Sequence, residues 1–267
     1  MNVPLANPNG AAEAPIVVKI GGSTLGNHDT TLQDLARLQR EGRRIVVVHG
    51  GGKIISEWMK RHGAMPRFVR GLRVTDGPSL DIVTAVLTGL INKQLVASLT
   101  ALGARVIGLS GVDGALLQCR IANPELGFVG EVTRVNPEPV ACALDAGFIP
   151  LIAPVGLHQD NGQLLNINGD TVTGSVAQAL AASELIFLTD VEGVLDSSGR
   201  RMPLINPRQA RMLIQSNVAR GGMIPKLEAC LLAMPPVPSA HVIDGRKPDA
   251  LLQCISGRVS GTRILAT

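Results

Sequence analysis

Ile16-Val17-Val18-Lys19-Ile20-Gly21-Gly22 is the stretch on which the fold turns. Four β-branched residues around one lysine, closed by two glycines, describe a short buried strand that ends in a tight turn. The pattern returns at Ile45-Val46-Val47-Val48, and after His49 come Gly50-Gly51-Gly52. Between the two strands, residues 30–41 carry Leu32, Leu35 and Leu38 at helical spacing. Strand, helix, strand, each strand closed by glycines, is the unit of a parallel α/β sheet.

The same rhythm runs outward to the end of the chain. A helix is predicted over 53–62, a long or broken helical stretch over 78–101, and a strand over 105–109. Residues 115–121 and 127–133 form a predicted hairpin around Asn123-Pro124. Helix 137–146 leads into strand 149–152. A second hairpin spans 155–167 around Asp160-Asn161-Gly162, a strong turn signal. Helix 169–182, rich in Ala, Thr and Val, precedes strand 185–189, which ends at Asp190. Helices 207–215, 225–233 and 248–255 then alternate with strands 239–243 and 262–265. The alternation predicts a mostly parallel central sheet between helices, in one domain over 15–267 with a soft boundary near residue 180. Residues 1–14, with Pro4, Pro8 and Gly10, read as a flexible arm.

Composition supports this and narrows the function. The chain has 267 residues, 45% apolar and 17% charged, with four Phe, one Trp and no Tyr. Its core must come from Val, Ile, Leu and Ala, as parallel strands covered on both faces require. The net charge of +4 is not gathered into a basic run. Arg67, Arg70 and Arg73 come close together with only Phe68 among them, too thin a stripe for nucleic acid. Cys119, Cys142, Cys230 and Cys254 are widely spaced, with no CxxC pair and no signal peptide before them, so buried free thiols in a reducing cytoplasm are expected. Apolar runs are of strand length or broken by Gly and Pro, so no membrane span is expected. His28, His49, His62, His158 and His241 are isolated, with no spacing suited to a metal. His49 reads as structural in preference to a base.

Three glycine-rich clusters point to an anion. Glycines at the carboxyl ends of strands let backbone amides approach a ligand, and ligands of open α/β sheets gather at those ends. Gly21-Gly22 and Gly50-Gly51-Gly52 both sit there; two tight turns without a ligand are the plainer alternative. Lys19 lies inside an apolar strand, where an unpartnered ammonium is costly. It either snorkels to an edge or reaches a phosphate at the turn, and its place beside Gly21 and Gly22 favours the second. Asn166-Ile167-Asn168-Gly169-Asp170 opens the Thr/Ala-rich helix with three polar groups where capping needs one. In Gly221-Gly222-Met223-Ile224-Pro225-Lys226, Pro225 is expected to start the helix and Lys226 to enter its first turn. A cation there opposes the dipole unless an anion is bound. The usual nucleotide loops are absent. Val47 occupies the first-glycine position of a Walker loop ending at Gly52-Lys53, and no GxGxxG follows a strand.

Taken together these stretches resemble the N-acetylglutamate kinases of the amino acid kinase family, from about residue 15 to 267. The resemblance rests on V-V-K-I-G-G, V-V-V-H-G-G-G, G-L-R-V-T at 71–75, G-L-S-G-V-D-G at 108–114, N-I-N-G-D, L-T-D-V-E-G-V-L at 188–195, G-G-M-I-P-K and G-T-R-I-L. Each motif is weak alone; the order and spacing are specific. The resemblance implies a three-layer αβα sandwich of the carbamate-kinase-like type. Residues 15–180 would hold the acyl-amino acid, and 181–267 would hold ATP with Mg²⁺ on its phosphates. It implies Lys19 and Lys226 as a pair neutralising the transferring phosphoryl group, with Asp170 orienting both. Gly22 and Gly51 would donate amides. Gly51, Gly52, Arg73, Asn166 and Asn168 would bind substrate, Arg73 taking the α-carboxylate. Gly21, Gly22, Asp190, Val191, Gly193, Val194, Leu195, Val218, Ala219 and Arg220 would line the nucleotide. A carboxylate acceptor is already ionised at neutral pH, so the lack of a catalytic histidine or cysteine is expected.

Two features depart from the family pattern or bear on its variants. Val112 stands where Lys is frequent in G-L-S-G-x-D-G. Family members inhibited by arginine carry an N-terminal helix that links dimers into a hexamer, and residues 1–14 make a poor helix. A cytoplasmic homodimer insensitive to arginine is therefore expected. A nitrogen-signalling regulatory protein stays open, with no residue supporting it. Rival readings are a kinase acting on carrier-linked aminoadipate, against which G-L-R-V-T speaks, and a catalytically silent sensor of ATP or amino acid. Retention of both lysines, Asp170 and Arg73 speaks against the sensor.

Overall fold

The computed structural model describes residues 13–21, 30–69, 71–258 and 261–266. Residues 1–12 and 22–29 lie outside the described residues, and with them Gly22 and most of the arm expected over 1–14. The chain opens with β1 (Ile16–Ile20), α1 (Thr31–Arg40), β2 (Ile45–His49) and α2 (Gly52–Arg61). Two short strands, β3 (Phe68–Val69) and β4 (Leu72–Arg73), pair as a hairpin before α3 (Gly77–Thr84). A π-helical segment, Ala85–Ile91, joins α3 to α4 (Asn92–Ala101). Next come β5 (Val106–Ser110), β6 (Leu117–Ile121), β7 (Val129–Val135), α5 (Glu138–Asp145), β8 (Ile149–Ala153), β9 (Val155–His158), β10 (Leu164–Ile167) and α6 (Gly169–Ala179). The last third holds β11 (Glu184–Thr189), β12 (Leu204–Ile205), α7 (Pro207–Gln215), α8 (Met223–Ala233), β13 (Ser239–Asp244), α9 (Ala250–Ile255) and β14 (Gly261–Leu265).

Eight strands form the central sheet in the order β12-β14-β13-β11-β1-β2-β8-β5. All its pairs are parallel except β13 with β14. The opening strand thus sits near the middle, in register with β2 on one side and β11 on the other. The two hairpins of the sequence join edge to edge: β10-β7-β6-β9 close into a small barrel through the parallel pairs β7·β10 and β6·β9.

Strand alternation sorts the core into two layers. Val17, Val46 and Val48 face the layer of α5, α6, α7 and α8. Ile16, Val18, Ile20, Ile45 and Val47 face the layer of α1, α2, α4 and α9. Two helical layers around one sheet make the three-layer αβα sandwich. Each fully buried Val or Ile contributes about 1.5–3 kcal/mol relative to an exposed one. The same alternation puts Lys19 on Val17's face, toward α6, and His49 on the opposite face, toward α4.

Some boundaries move. The helix expected over 169–182 stops at Ala179 because Ala181 adopts φ 44°, a left-handed conformation that breaks the ladder. Helix α8 begins at Met223, so Pro225 is its third residue, not its first; the first four amides of a helix have no internal acceptor, and proline costs nothing there. The helical run Gly77–Ala101 is 25 residues long and apolar enough to cross a membrane by length and composition. Leu80, Val83, Val86, Leu87, Ile91, Leu95 and Leu99 are instead buried in the protein.

Candidate active site

The parallel strands bring the ends of β1, β2 and β8 together, and the polar residues of the glycine-rich clusters meet there. Lys19 is almost wholly buried, and its Nζ lies 2.9 Å from Oδ1 of Asp170. Asp170 stands in the first turn of α6, where a carboxylate suits the helix dipole. Asn168 caps that helix: its Oδ1 accepts from the amides of Asp170 at 2.8 Å and Thr171 at 3.2 Å. Capping thus accounts for Asn168 and leaves Asp170 for another task.

That task is to hold a second lysine. Lys226 Nζ lies 3.1 Å from Oδ2 of Asp170 and 3.2 Å from the carbonyl of Gly222. The helices carrying them pack closely because Gly174, one turn beyond Asp170, rests on Ala229, about one turn beyond Lys226. A Cβ on Gly174 would come within 2.6 Å of Ala229 O and 2.9 Å of its Cα. Burial alone would raise the Asp170 carboxyl; the two ammonium groups outweigh it and hold the group below its ordinary range.

Gly51 and Gly52 start α2 beside this cluster. A Cβ on Gly51 would strike Ile91 Cδ1 and approach Leu87 Cδ2 to 2.8 Å, so the π-helical segment demands glycine there. The mainly buried Arg73 reaches over from β4. Its Nη2 donates to Gly52 O at 2.8 Å and Ser56 Oγ at 2.9 Å, and its Nη1 approaches Met59 Sδ at 3.1 Å. Phe68 stacks on the guanidinium at 4.7 Å. All these partners are neutral, and burial lowers the Arg73 pKa. Asn166 donates to Thr75 Oγ1 at 3.0 Å, and Thr75 Oγ1 donates to Arg73 O at 2.9 Å, tying β10 to the arginine's own backbone.

A cavity of about 230 Å³ is lined by Lys19, Gly51, Gly52, Arg73, Asn166, Asn168 and Asp170, all seven singled out from sequence. Lys226 joins them through Asp170. Among the described residues Lys19, Lys226 and Arg73 are set against Asp170, a surplus of two positive charges that calls for an anion. Ser56, Phe68 and Thr75 were not foreseen; the signal available for Thr75 was its place in the G-L-R-V-T run.

The remaining described candidates are not among the residues that line this cavity. Gly21 follows β1, and Gly22 lies outside the described residues. Asp190, Val191, Gly193, Val194 and Leu195 form the loop after β11. Val191 and Leu195 are exposed there, whereas Val194 is buried and donates its amide to Thr262 Oγ1 at 2.8 Å. Gly193 has φ 141° and leaves 2.7 Å between a would-be Cβ and that same hydroxyl. Val218, Ala219 and Arg220 lead from α7 into α8; Ala219 is buried and Arg220 exposed.

Fold and site define an αβα protein with a cationic cavity for a small anionic molecule. The chain belongs to the amino acid kinase family, whose model matches residues 14–244. It is 44% identical over 254 residues to the acetylglutamate kinase of Dehalococcoides mccartyi, covering 93% of each chain. Among solved structures it resembles smu.665 from Streptococcus mutans, with TM-score 0.83, 30% identity and coverage of 95% of this chain and 99% of that one. Carbamate kinase from Giardia lamblia bound to AMP-PNP shares the fold, with TM-score 0.67 at 15% identity over 95% of this chain and 99% of that one.

Proposed function

We propose that this chain transfers the γ-phosphoryl group of ATP to the side-chain carboxylate of N-acetyl-L-glutamate, the second step of arginine biosynthesis. One observation carries the reading: Arg73, a buried guanidinium whose partners among the described residues are neutral, shares a cavity with the lysine–aspartate–lysine cluster. The kinship with acetylglutamate kinases supports the choice of acceptor.

The acceptor needs no activation. A carboxylate oxygen attacks the γ-phosphorus while the bond to the β-phosphate oxygen breaks, and its electron pair leaves with ADP. The protein's work is to bring two anions together and to spread charge on the transferring group. Lys19 and Lys226 supply that charge, and Asp170 keeps both ammonium groups in place. Gly51, with Gly22, donates amides to phosphoryl oxygens. Arg73 takes the α-carboxylate through its remaining N–H donors, a planar contact that lysine could not reproduce. Asn166, Asn168 and Gly52 complete the acceptor's surroundings.

The loops over 190–195 and 218–220, with Gly21, hold the nucleotide, so residues 15–180 form the acceptor lobe and 181–267 the ATP lobe. Among the described residues no group of three His, Cys, Asp or Glu side chains is placed to hold a metal, and Asp170 is taken by two lysines. These residues do not build a protein cage for Mg²⁺, which instead suits the phosphates of Mg·ATP. We read the assembly as a cytoplasmic homodimer insensitive to arginine; a hexamer in light scattering, or inhibition by arginine, would contradict that.

The test is acyl-phosphate formation from ATP, trapped with hydroxylamine. N-acetylglutamate is compared with glutamate, aminoadipate, aspartate and carbamate. Hydroxamate from N-acetylglutamate above all others is expected; none from it refutes the reading.

A further inference from the structure

Behind the glycine turn, on the face of the sheet away from Lys19, runs a chain of hydrogen bonds that the proposed mechanism does not use. His49, the last residue of β2, is 1% exposed. Its Nδ1 lies 3.1 Å from the carbonyl oxygen of Gly50, and its Nε2 lies 3.2 Å from Nδ2 of Asn92. Asn92, also 1% exposed, is the first residue after the π-helical segment. Its Nδ2 reaches Leu151 O on β8 at 2.9 Å and Leu109 O on β5 at 3.3 Å, so one side chain links three strands.

The chemistry of these partners fixes the ring proton of His49. Carbonyl oxygens only accept, so Asn92 must turn its amino group toward them. Its Oδ1 then faces Lys93 Nζ at 3.1 Å, and an ammonium only donates. His49 Nε2 faces an amino group that only donates, so it carries no hydrogen, which leaves the ring hydrogen on Nδ1, donated to Gly50 O. Burial first, then the positive charges of Lys19 on β1 and Lys93 on α4, push the imidazole down to about 4, so it is neutral near pH 7.

A trans peptide is planar, so the Gly50 carbonyl and the Gly51 N–H point in opposite directions. Drawing the carbonyl back onto His49 turns the Gly51 amide forward, into the cavity that Gly51 lines. Among the described residues no acceptor takes that hydrogen. The surroundings guard the arrangement: a Cβ on Gly108 would run into Asn92 Oδ1, and Leu87 and Ile91 of the π-helical segment close on Gly51. The extra residue of a π turn rotates the next stretch of helix by about 100°, which brings Asn92 to face the sheet.

We infer that Asn92 and His49 are positioning residues for the phosphoryl transfer. Asn92 fixes the imidazole as the Nδ1–H tautomer, and His49 thereby aims the Gly51 amide at an oxygen that gains charge during transfer. The inference rests on the proposed activity for its catalytic consequence, though the tautomer stands independently of it.

The experiment has two arms on the full chain. Nitrogen-15 NMR of labelled histidine in the wild-type protein should show His49 protonated at Nδ1 and bare at Nε2; the reverse tautomer overturns the inference. Steady-state kinetics then compare His49→Leu, His49→Asn and Asn92→Asp. An asparagine at 49 places an N–H donor where Nδ1 was, whereas leucine removes it. An aspartate at 92 puts an acceptor opposite Nε2 and reverses the ring's tautomer. For His49→Leu and Asn92→Asp, kcat should fall about 10- to 100-fold, short of the ~10²–10³-fold loss on deleting an oxyanion donor, with both KM values within about threefold. His49→Asn should recover to within about threefold of the wild-type kcat. Equal losses in His49→Asn and His49→Leu would mean a merely structural histidine and overturn the inference, as would a wild-type kcat in His49→Leu. Should Asn92→Asp fail to fold, the two His49 variants decide. An inactive wild type would refute the proposed activity and leave the tautomer as the judge of the relay.

Discussion

His49 closes β2 at the carboxyl end of the central sheet, whereas His241 sits on β13 level with Val18, the midpoint of β1. Both are buried, and burial before any other cause pushes both down to about 4. Their surroundings differ. Both ring nitrogens of His49 are engaged, and the chain of bonds ends at an amide facing the cavity. Among the described residues neither ring nitrogen of His241 has a hydrogen-bond partner; Glu184 Oε2, likewise without one, lies 3.7 Å away. A like contrast holds between the two ends of the sheet. The carboxyl end concentrates Lys19, Asp170, Lys226 and Arg73 around a cavity. Toward the amino end, Arg44 pairs with Asp145 at 2.8 Å and Gln39 bonds the backbone of Arg105 and Gly147, contacts that only fasten the edge. Burial and a shifted pKa do not by themselves mark a working group. What marks it is a set of satisfied bonds that leaves charge and donors facing one space.

The contrast breaks most readily at the lysines. Lys226→Ala and Lys19→Ala should each lower kcat by about 10²- to 10⁴-fold, with KM for the acceptor within about threefold, because their charge acts on the transferring group. Losses confined to KM would remove them from the transition state. Arg73→Ala should raise the acceptor KM by about 10- to 100-fold, the scale of a lost charged hydrogen bond, and leave kcat at saturation nearly intact. An unchanged KM in steady-state assays would count against its carboxylate role.

Stability should respond to pH through both histidines alike. Their folded pKa of about 4 lies below the ordinary 6.5, so the unfolded chain takes up protons first as the pH falls. The stability tied to their neutral burial is complete above about pH 6.5 and is lost as the pH drops through about 4. The loss is on the order of 3 kcal/mol per histidine at most. Urea midpoints that stay level from about pH 7 to about pH 5 would contradict it. The smallest effect separates the two residues. His241→Leu removes both of those ring nitrogens, so stability should stay level or rise by about 1 kcal/mol with kcat unchanged. A loss of activity there would erase the distinction between the two histidines.

Much of the carboxyl end was legible because its signals are local. A lysine in an apolar strand and the surplus polar groups of N-I-N-G-D before a helix exceed what a plain βα turn needs, and the glycines at strand ends lie beside both. Pairing between distant segments left no such trace. Nothing in the two hairpins says that β6 meets β9 or β7 meets β10, and apolar periodicity does not tell that β14 runs antiparallel to β13. Strands β3, β4 and β12 are two residues each, too short for a period to register. The π-helical segment leaves the composition untouched, so the rotation that brings Asn92 to His49 was invisible. Asn92 stands beside Lys93 and Gln94 in a stretch that also holds Thr84, Thr88 and Ser98, so the sequence did not single it out.

The most direct measurement tracks the phosphoryl group itself. N-acetyl-L-glutamate labelled with carbon-13 at the side-chain carboxyl is mixed with ATP and the protein, and phosphorus and carbon NMR are recorded together. With Arg73 holding the α-carboxylate, an acyl-phosphate signal should arise as ATP is consumed, split by coupling to the labelled carbon. A product without that coupling, or ATP consumption with no acyl phosphate, would contradict the assignment of this cavity to phosphoryl transfer onto the side chain.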